Sequence, residues 1–248
     1  MISEEELKKV IKLYPGLKYI QKEGKRLLKG SFEFCALYDA IEDKFILNPS
    51  IGDVIDDRVI RDSYEIDVEF ISKPQNLFPE VRETGGRIQK IRANFNITDI
   101  RELHVNENQN NTICLCPKPE LFLRYPNGLE IVDFFNALIL PYFYGLSYFE
   151  KHKEWPRGSY GHGDVGIFEF YYDYRDKMDI NLIIKCVESL SERKSMEYLQ
   201  SKGKIKGHRE CICGSKLKIK KCHIKALEGL RFLKEDIKRL SVNPLKKA

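Results

Sequence analysis

Residues 104 to 116 read HVNENQNNTICLC, a His-x-Asn triplet followed by a polar spacer and a Cys-x-Cys pair. The spacer, Glu107 to Asn111, contains no branched or aromatic residue and is rich in Asn, which tolerates tight and left-handed backbone, so it is expected to be a loop. Thr112-Ile113-Cys114-Leu115 is β-branched and apolar and is expected to be extended, while Pro117 and Pro119 are expected to prevent a ladder or helix directly after it. Cys114 then stands at the end of a short extended piece between irregular segments. That is where a rigid scaffold presents a reactive group to a large partner. The plainer alternative is that Cys114 and Cys116 are small buried residues that only pack.

Upstream, Leu7, Val10, Ile11 and Tyr14 recur at helical spacing over residues 3 to 13, with Ser3 as cap, an acidic first turn and Pro15-Gly16 as terminator. Branched and aromatic residues from Ser31 to Tyr38 and from Lys44 to Leu47, and the alternation from Val59 to Ile71, predict an antiparallel meander that Pro74 to Pro79 ends. Downstream, Leu129 to Phe149 is expected to be helical, broken or restarted at Pro141. Gly158 to Gly166 carries four glycines in nine residues, which implies a backbone path close to something. It lacks the Lys-Ser/Thr of a phosphate loop. Residues 178 to 200, with Asp179 as cap, are expected to form one helix. Cys186 on that helix and Cys35 in the first strand are read as packing residues.

The segment around Cys114 resembles the active-site segment of the ubiquitin-conjugating enzymes, His-Pro-Asn, a short loop, then Ile-Cys-Leu, with the cysteine ten places after the histidine. His104, Asn106, Thr112, Ile113, Cys114 and Leu115 fall in that frame, and Phe78-Pro79-Glu80-Val81 resembles the family's Tyr-Pro-x-x-Pro-Pro segment. Val105 stands where the family has proline, and the second proline pair is missing, so the resemblance is to a divergent member such as the bacterial conjugating enzymes of antiphage operons. As an order of elements the likeness spans roughly residues 1 to 175; its specific part is 104 to 115.

The resemblance implies an α+β fold, an antiparallel meander with flanking helices, and a thioester carried on Cys114. A free thiol titrates near 8.5, so a few per cent is thiolate at neutral pH and no paired base is required. The resemblance gives Asn106 the role of steadying the loop or the oxyanion, where a donor can be worth about 3 kcal/mol. It makes His104 a structural residue that holds the loop. Cys116 is either a packing neighbour or a resolving thiol. Similar Trp-Pro and His-Gly segments follow the catalytic domain in bacterial relatives, which makes His162 and Asp164 candidates for lining the Cys114 cleft; the alternative is a tight turn with a capped histidine. The implied partners are an acyl-donor or target protein and, by analogy with the operons, a cyclic-nucleotide-producing (cGAS-like) nucleotidyltransferase.

Charge divides near residue 200: from there to the end Lys and Arg outnumber Asp and Glu by 15 to 4. Within this basic tail Cys211-Ile212-Cys213 and Cys222-His223 supply three thiolates and one imidazole, a complete tetrahedral set for zinc. The stretch CICGSKLKIKKCH closely resembles the SEC-C motif, a small zinc knuckle. Metal binding is expected to supply the folding energy of so short a segment. Lys216, Lys218, Lys220 and Lys221 are expected to stay solvated around it and to attract acidic protein, nucleotide or nucleic acid. No aromatic residue is interleaved there, which weakens a base-stacking reading. Leu227 to Leu240 is expected to form a last amphipathic helix.

Composition bounds the rest. A hydrophobic fraction of 42% with 14 Phe and 13 Tyr indicates a folded protein, not a disordered one. Glu4-Glu5-Glu6 and Lys8-Lys9 interrupt any signal-peptide core, and the longest apolar stretch, Phe134 to Leu146, is too short to span a bilayer. A cytoplasmic protein with its seven cysteines reduced or metal-bound is therefore expected. The expected organisation is a ubiquitin-conjugating-like domain over 1–175, a connecting helix over 176–200 and a basic zinc tail over 201–248. A second reading is a non-catalytic scaffold that uses the fold and the tail to hold a protein or nucleic-acid partner.

Overall fold

The computed structural model describes residues 3–22, 24–49, 57–70, 78–106, 111–156 and 158–240. The spacer from 107 to 110, most of the segment expected to end the meander, and the last eight residues lie outside these. In chain order the elements begin with α1 (Glu4–Leu13), β1 (Leu17–Lys22), β2 (Lys25–Asp39), β3 (Lys44–Leu47), β4 (Val59–Phe70) and β5 (Glu80–Glu83). There follow α2 (Arg87–Asn94), a 3-10 turn (Ile100–Leu103), β6 (Val105–Asn106), β7 (Thr112–Ile113) and α3 (Lys118–Arg124). The remaining helices are α4 (Ile131–Phe134), α5 (Leu140–His152), α6 (Asp164–Tyr174), α7 (Ile180–Ser189), α8 (Arg193–Gln200), α9 (Ile219–Cys222) and α10 (Ile224–Arg239). The chain is mixed α+β with an antiparallel sheet. Among the described residues no helix is long and apolar enough to cross a membrane.

Two compact units divide the chain: Met1–Leu115 with Asn127–Gly158, and Cys116–Pro126 with Ser159–Ala248. This differs from boundaries at 175 and 200. The reason is a shared apolar core in the second unit, where Phe168, Cys186, Leu199, Cys211, Ile219 and Leu230 belong to one buried cluster. The cysteine loop is thus built into a helical core and does not depend on metal alone for burial.

In the first unit, α1 starts as expected: the Ser3 hydroxyl accepts from the Glu6 N–H and the Glu6 carboxylate accepts from the Ser3 N–H, a capping box. The five-stranded sheet pairs β1 with the first half of β2 and β3 with its second half, while β4 and then β5 extend the other side, all antiparallel. Alternation along β4 puts Ile60, Tyr64, Ile66, Val68 and Phe70 on the buried face. Tyr14 packs on Phe32 and stacks on Phe135, and its hydroxyl donates to Asn136 at 2.7 Å. Asn136, the one amide in the apolar stretch, is therefore a partner for a buried phenol.

The helical run over 131–152 is interrupted by a π segment, Phe135–Ile139, and Pro141 sits in the first turn of α5. Proline has no N–H to give the preceding turn, so the widened turn falls just ahead of it. Arg87 ties α2 to β4 and α5: it donates to both Asp62 oxygens at 2.6 and 2.7 Å and to Glu150 at 2.7 and 3.0 Å, with its guanidinium 4.6 Å from the Tyr64 ring.

Two expectations are corrected in the second unit. Pro117 and Pro119 do not exclude a helix: α3 begins at Lys118, with Pro119 in its first turn, where a missing N–H costs nothing. Residues 178 to 200 form two helices, not one, broken at Leu190–Glu192. The break is held from outside by Asp164, which accepts from the Ser191 and Glu192 N–H groups.

Candidate functional site

The Cys114 region is a short antiparallel hairpin in the first unit. Val105 pairs with Ile113 and Asn106 with Thr112. Val105 and Ile113 are buried and anchor one face. Asn106 is half-buried, and Cys114 beyond Ile113 is half-buried too, neither sealed in the core nor fully exposed. The register continues past the strands: the Cys114 N–H donates to the His104 carbonyl at 2.7 Å. Alternation puts Asn106 on the same face as its cross-strand partner Thr112.

His104 holds a left-handed conformation, φ 54° and ψ 45°, closing the 3-10 turn as its N–H donates to the Arg101 carbonyl at 2.8 Å. Its ring lies edge-on to Trp155, with centroids 5.1 Å apart. Behind it the buried Tyr142 hydroxyl donates to the Leu103 carbonyl at 2.9 Å. Burial pushes the Tyr142 phenol well above its ordinary value, with smaller contributions from Tyr64, Glu83 and Cys114. Sequence reading gave neither Tyr142 nor Trp155 a place at this turn, because both come from 38 or more positions away and bear no local signal of it.

Cys116, His162 and Asp164, also read as candidates, belong to the second unit. Cys116 and His162 are half-buried. Asp164 is 1% exposed, and its carboxylate accepts from the Ser191 N–H and hydroxyl and from the Glu192 N–H, at 2.9, 3.2 and 2.9 Å. The glycines around it have local reasons. A Cβ on Gly166 would stand 2.1 Å from the Gly161 carbonyl oxygen, and one on Gly161 would stand 2.5 Å from a Val165 methyl. The Gly161 N–H donates to Glu169 at 2.7 Å. The tight path expected of this segment is against its own helix α6. Cys186 is fully buried, and burial pushes its thiol up to about 12, in keeping with packing. Cys35 lies in β2, half-buried.

The second unit also gathers Cys211, Cys213, Cys222 and His223, whose ligand atoms all lie within 4.8 Å of one another. This cluster could hold a metal ion. Cys211 Sγ is 3.3 Å from His223 Nδ1, and Cys213 Sγ is 3.6 Å from Cys222 Sγ. A tetrahedral ion with bonds of about 2.3 Å to sulfur and about 2.0 Å to nitrogen would place its ligands roughly 3.5–3.8 Å apart. The fold builds the set from a loop and a helix end: Cys211 N–H donates to the Leu217 carbonyl, Glu210 bridges to Lys218, and Cys222 and His223 end α9.

Ser215 Oγ lies 3.2 Å from both Cys213 Sγ and Cys222 Sγ, within hydrogen-bond distance of each. Burial works against ionisation of Cys213, but hydrogen bonds from Ser215 and from the neighbouring thiols hold it below the ordinary thiol value. Lys216, Lys218, Lys220 and Lys221 are exposed around the cluster, as expected, and Leu217 and Ile224 among them are each 56% exposed. Comparison with protein-family models, with curated proteins and with solved structures finds no match to this chain.

Proposed function

We propose that the first unit is a divergent ubiquitin-conjugating-like transferase that carries a protein's acyl group as a thioester on Cys114. Its partner would be a target protein in bacterial antiphage defence. The observation that carries this reading is the hairpin that pins the Cys114 amide to the His104 carbonyl and leaves Cys114 half-buried, on the chain that also pairs Thr112 with Asn106, after a helix and an antiparallel meander. In the proposed chemistry the Cys114 thiolate attacks the activated C-terminal carbonyl of the donor and expels its leaving group. An amine of the target then attacks the thioester, and the thiolate departs. Asn106 is assigned to steady the loop or the oxyanion, and His104 to hold the turn.

The second unit is proposed to hold one structural Zn²⁺ through Cys211, Cys213, Cys222 and His223. A set of three sulfur ligands and one nitrogen with no open position suits a structural role rather than catalysis. A nucleotidyltransferase that makes cyclic nucleotides is the proposed target, on operon analogy, and the compartment proposed is the cytoplasm.

One observation favours the second reading, a non-catalytic scaffold: Leu217 and Ile224 stand exposed among lysines, a surface suited to holding an acidic partner or nucleic acid. Separate Cys114→Ser and Cys116→Ser variants decide between the two. The transferase reading expects a thiol-sensitive covalent adduct that survives loss of Cys116 and vanishes with loss of Cys114. A wild-type chain that never forms such an adduct with its operon partners favours the scaffold.

A further inference from the structure

A non-glycine residue at positive φ is disfavoured and persists only where its surroundings impose it. His104 is such a residue, and it is also the residue whose carbonyl fixes the Cys114 amide. Backbone bonds account for its N–H and its carbonyl. The ring is held by Trp155, the chain's one tryptophan, at 90° and 5.1 Å.

Trp155 is itself seated with some care. It stacks on Phe149 at 5.8 Å and approaches Tyr142 at 6.3 Å, both on α5. Between them Gly145 supplies the notch: a Cβ there would stand 2.7 and 2.8 Å from two Trp155 ring atoms. Tyr142 on the same helix holds the adjoining Leu103 carbonyl. The turn is thus held at two successive residues, at Leu103 by a hydrogen bond from Tyr142 of α5 and at His104 by the ring of Trp155, which is seated on α5.

We infer that Trp155 is a positioning residue for Cys114, bracing His104 from the Gly145 notch so that the His104 carbonyl holds the thiol-bearing loop in one place. The inference deepens the transferase reading and rests on it for its functional meaning. The alternative, that Trp155 merely fills space, predicts that its loss loosens the whole unit evenly.

Site-resolved alkylation with iodoacetamide separates the two, using Cys35 as an internal reference because it too is half-buried in the first unit. In the full-length chain, Trp155→Ala is expected to raise the Cys114-to-Cys35 labelling ratio about tenfold, the scale of losing one aromatic pair. Gly145→Ala, which expels the ring without removing it, is expected to do the same, and Trp155→Phe to raise the ratio less. A ratio within about twofold of wild type in Trp155→Ala and Gly145→Ala, whether because neither cysteine responds or because both rise together, overturns the inference. Labelling needs no acyl donor, so failure to form a thioester would defeat the transferase reading while leaving the brace standing.

Discussion

Replacing Asp164 with alanine tests how the second unit is assembled. Its buried carboxylate receives two backbone N–H groups at 2.9 Å and a serine hydroxyl at 3.2 Å, at the break between α7 and α8. A hydrogen bond to a charged group contributes about 1.5–3 kcal/mol, and removing the acceptor releases three donors on residues that solvent reaches, so the loss should be roughly 3 kcal/mol. Asn keeps one acceptor oxygen and should cost about half as much. Amide hydrogen exchange reads this at the residues concerned. The Ser191 and Glu192 amides in Asp164→Ala should exchange at least about a hundredfold faster than in wild type, with Asn between. Exchange within about threefold of wild type would refute the reasoning.

Gly229 of α10 packs on the backbone of α6, where a Cβ would stand 1.8 Å from the Phe168 carbonyl oxygen, so Gly229→Ala should cost about 3 kcal/mol or more; an unchanged melting temperature would contradict that contact. Burial works against the ionised forms of Asp62 and Asp236, yet hydrogen bonds from Arg87 and Ser147 to the first, and from Arg175 and Tyr171 to the second, hold both below the usual carboxylate value. Their contribution is complete above the unfolded-state value of about 3.9 and is lost as pH falls through the lower folded values. Denaturation midpoints should therefore drop below about pH 4, and Asp62→Asn should flatten that dependence; an equally steep fall in the variant would count against it. The purified chain should contain about one zinc, with three sulfur neighbours and one nitrogen by X-ray absorption, and Cys213→Ser should weaken its retention. Metal-free protein from metal-replete, non-chelating preparation would oppose the assignment.

What the sequence discloses here is mostly local. Ser3 and Glu6 announce the start of α1 because a capping box lies within four residues, and the cysteine loop is legible because the four residues that could hold a metal ion fall within 13 positions. The strand β1 is not legible: only Leu17 of its six residues is buried, so it has no alternation to detect. The break between α7 and α8 is invisible for another reason, since the carboxylate that holds it lies 27 residues away. Pro119 misleads because the same residue that interrupts a helix is at home in its first turn. Cys114 could be singled out from its own segment, whereas Tyr142 and Trp155, which hold the turn beside it, are brought there only by the path of α5.

The central claim concerns the sulfur of Cys114. Its most direct test is intact-mass and peptide mass spectrometry of the full-length chain after incubation with its activated acyl-donor protein. The account predicts a single adduct mapped to Cys114, released by thiol reductant at neutral pH and absent in Cys114→Ser. An unmodified Cys114 under conditions where the donor is consumed, or an adduct mapped to another residue, would contradict it.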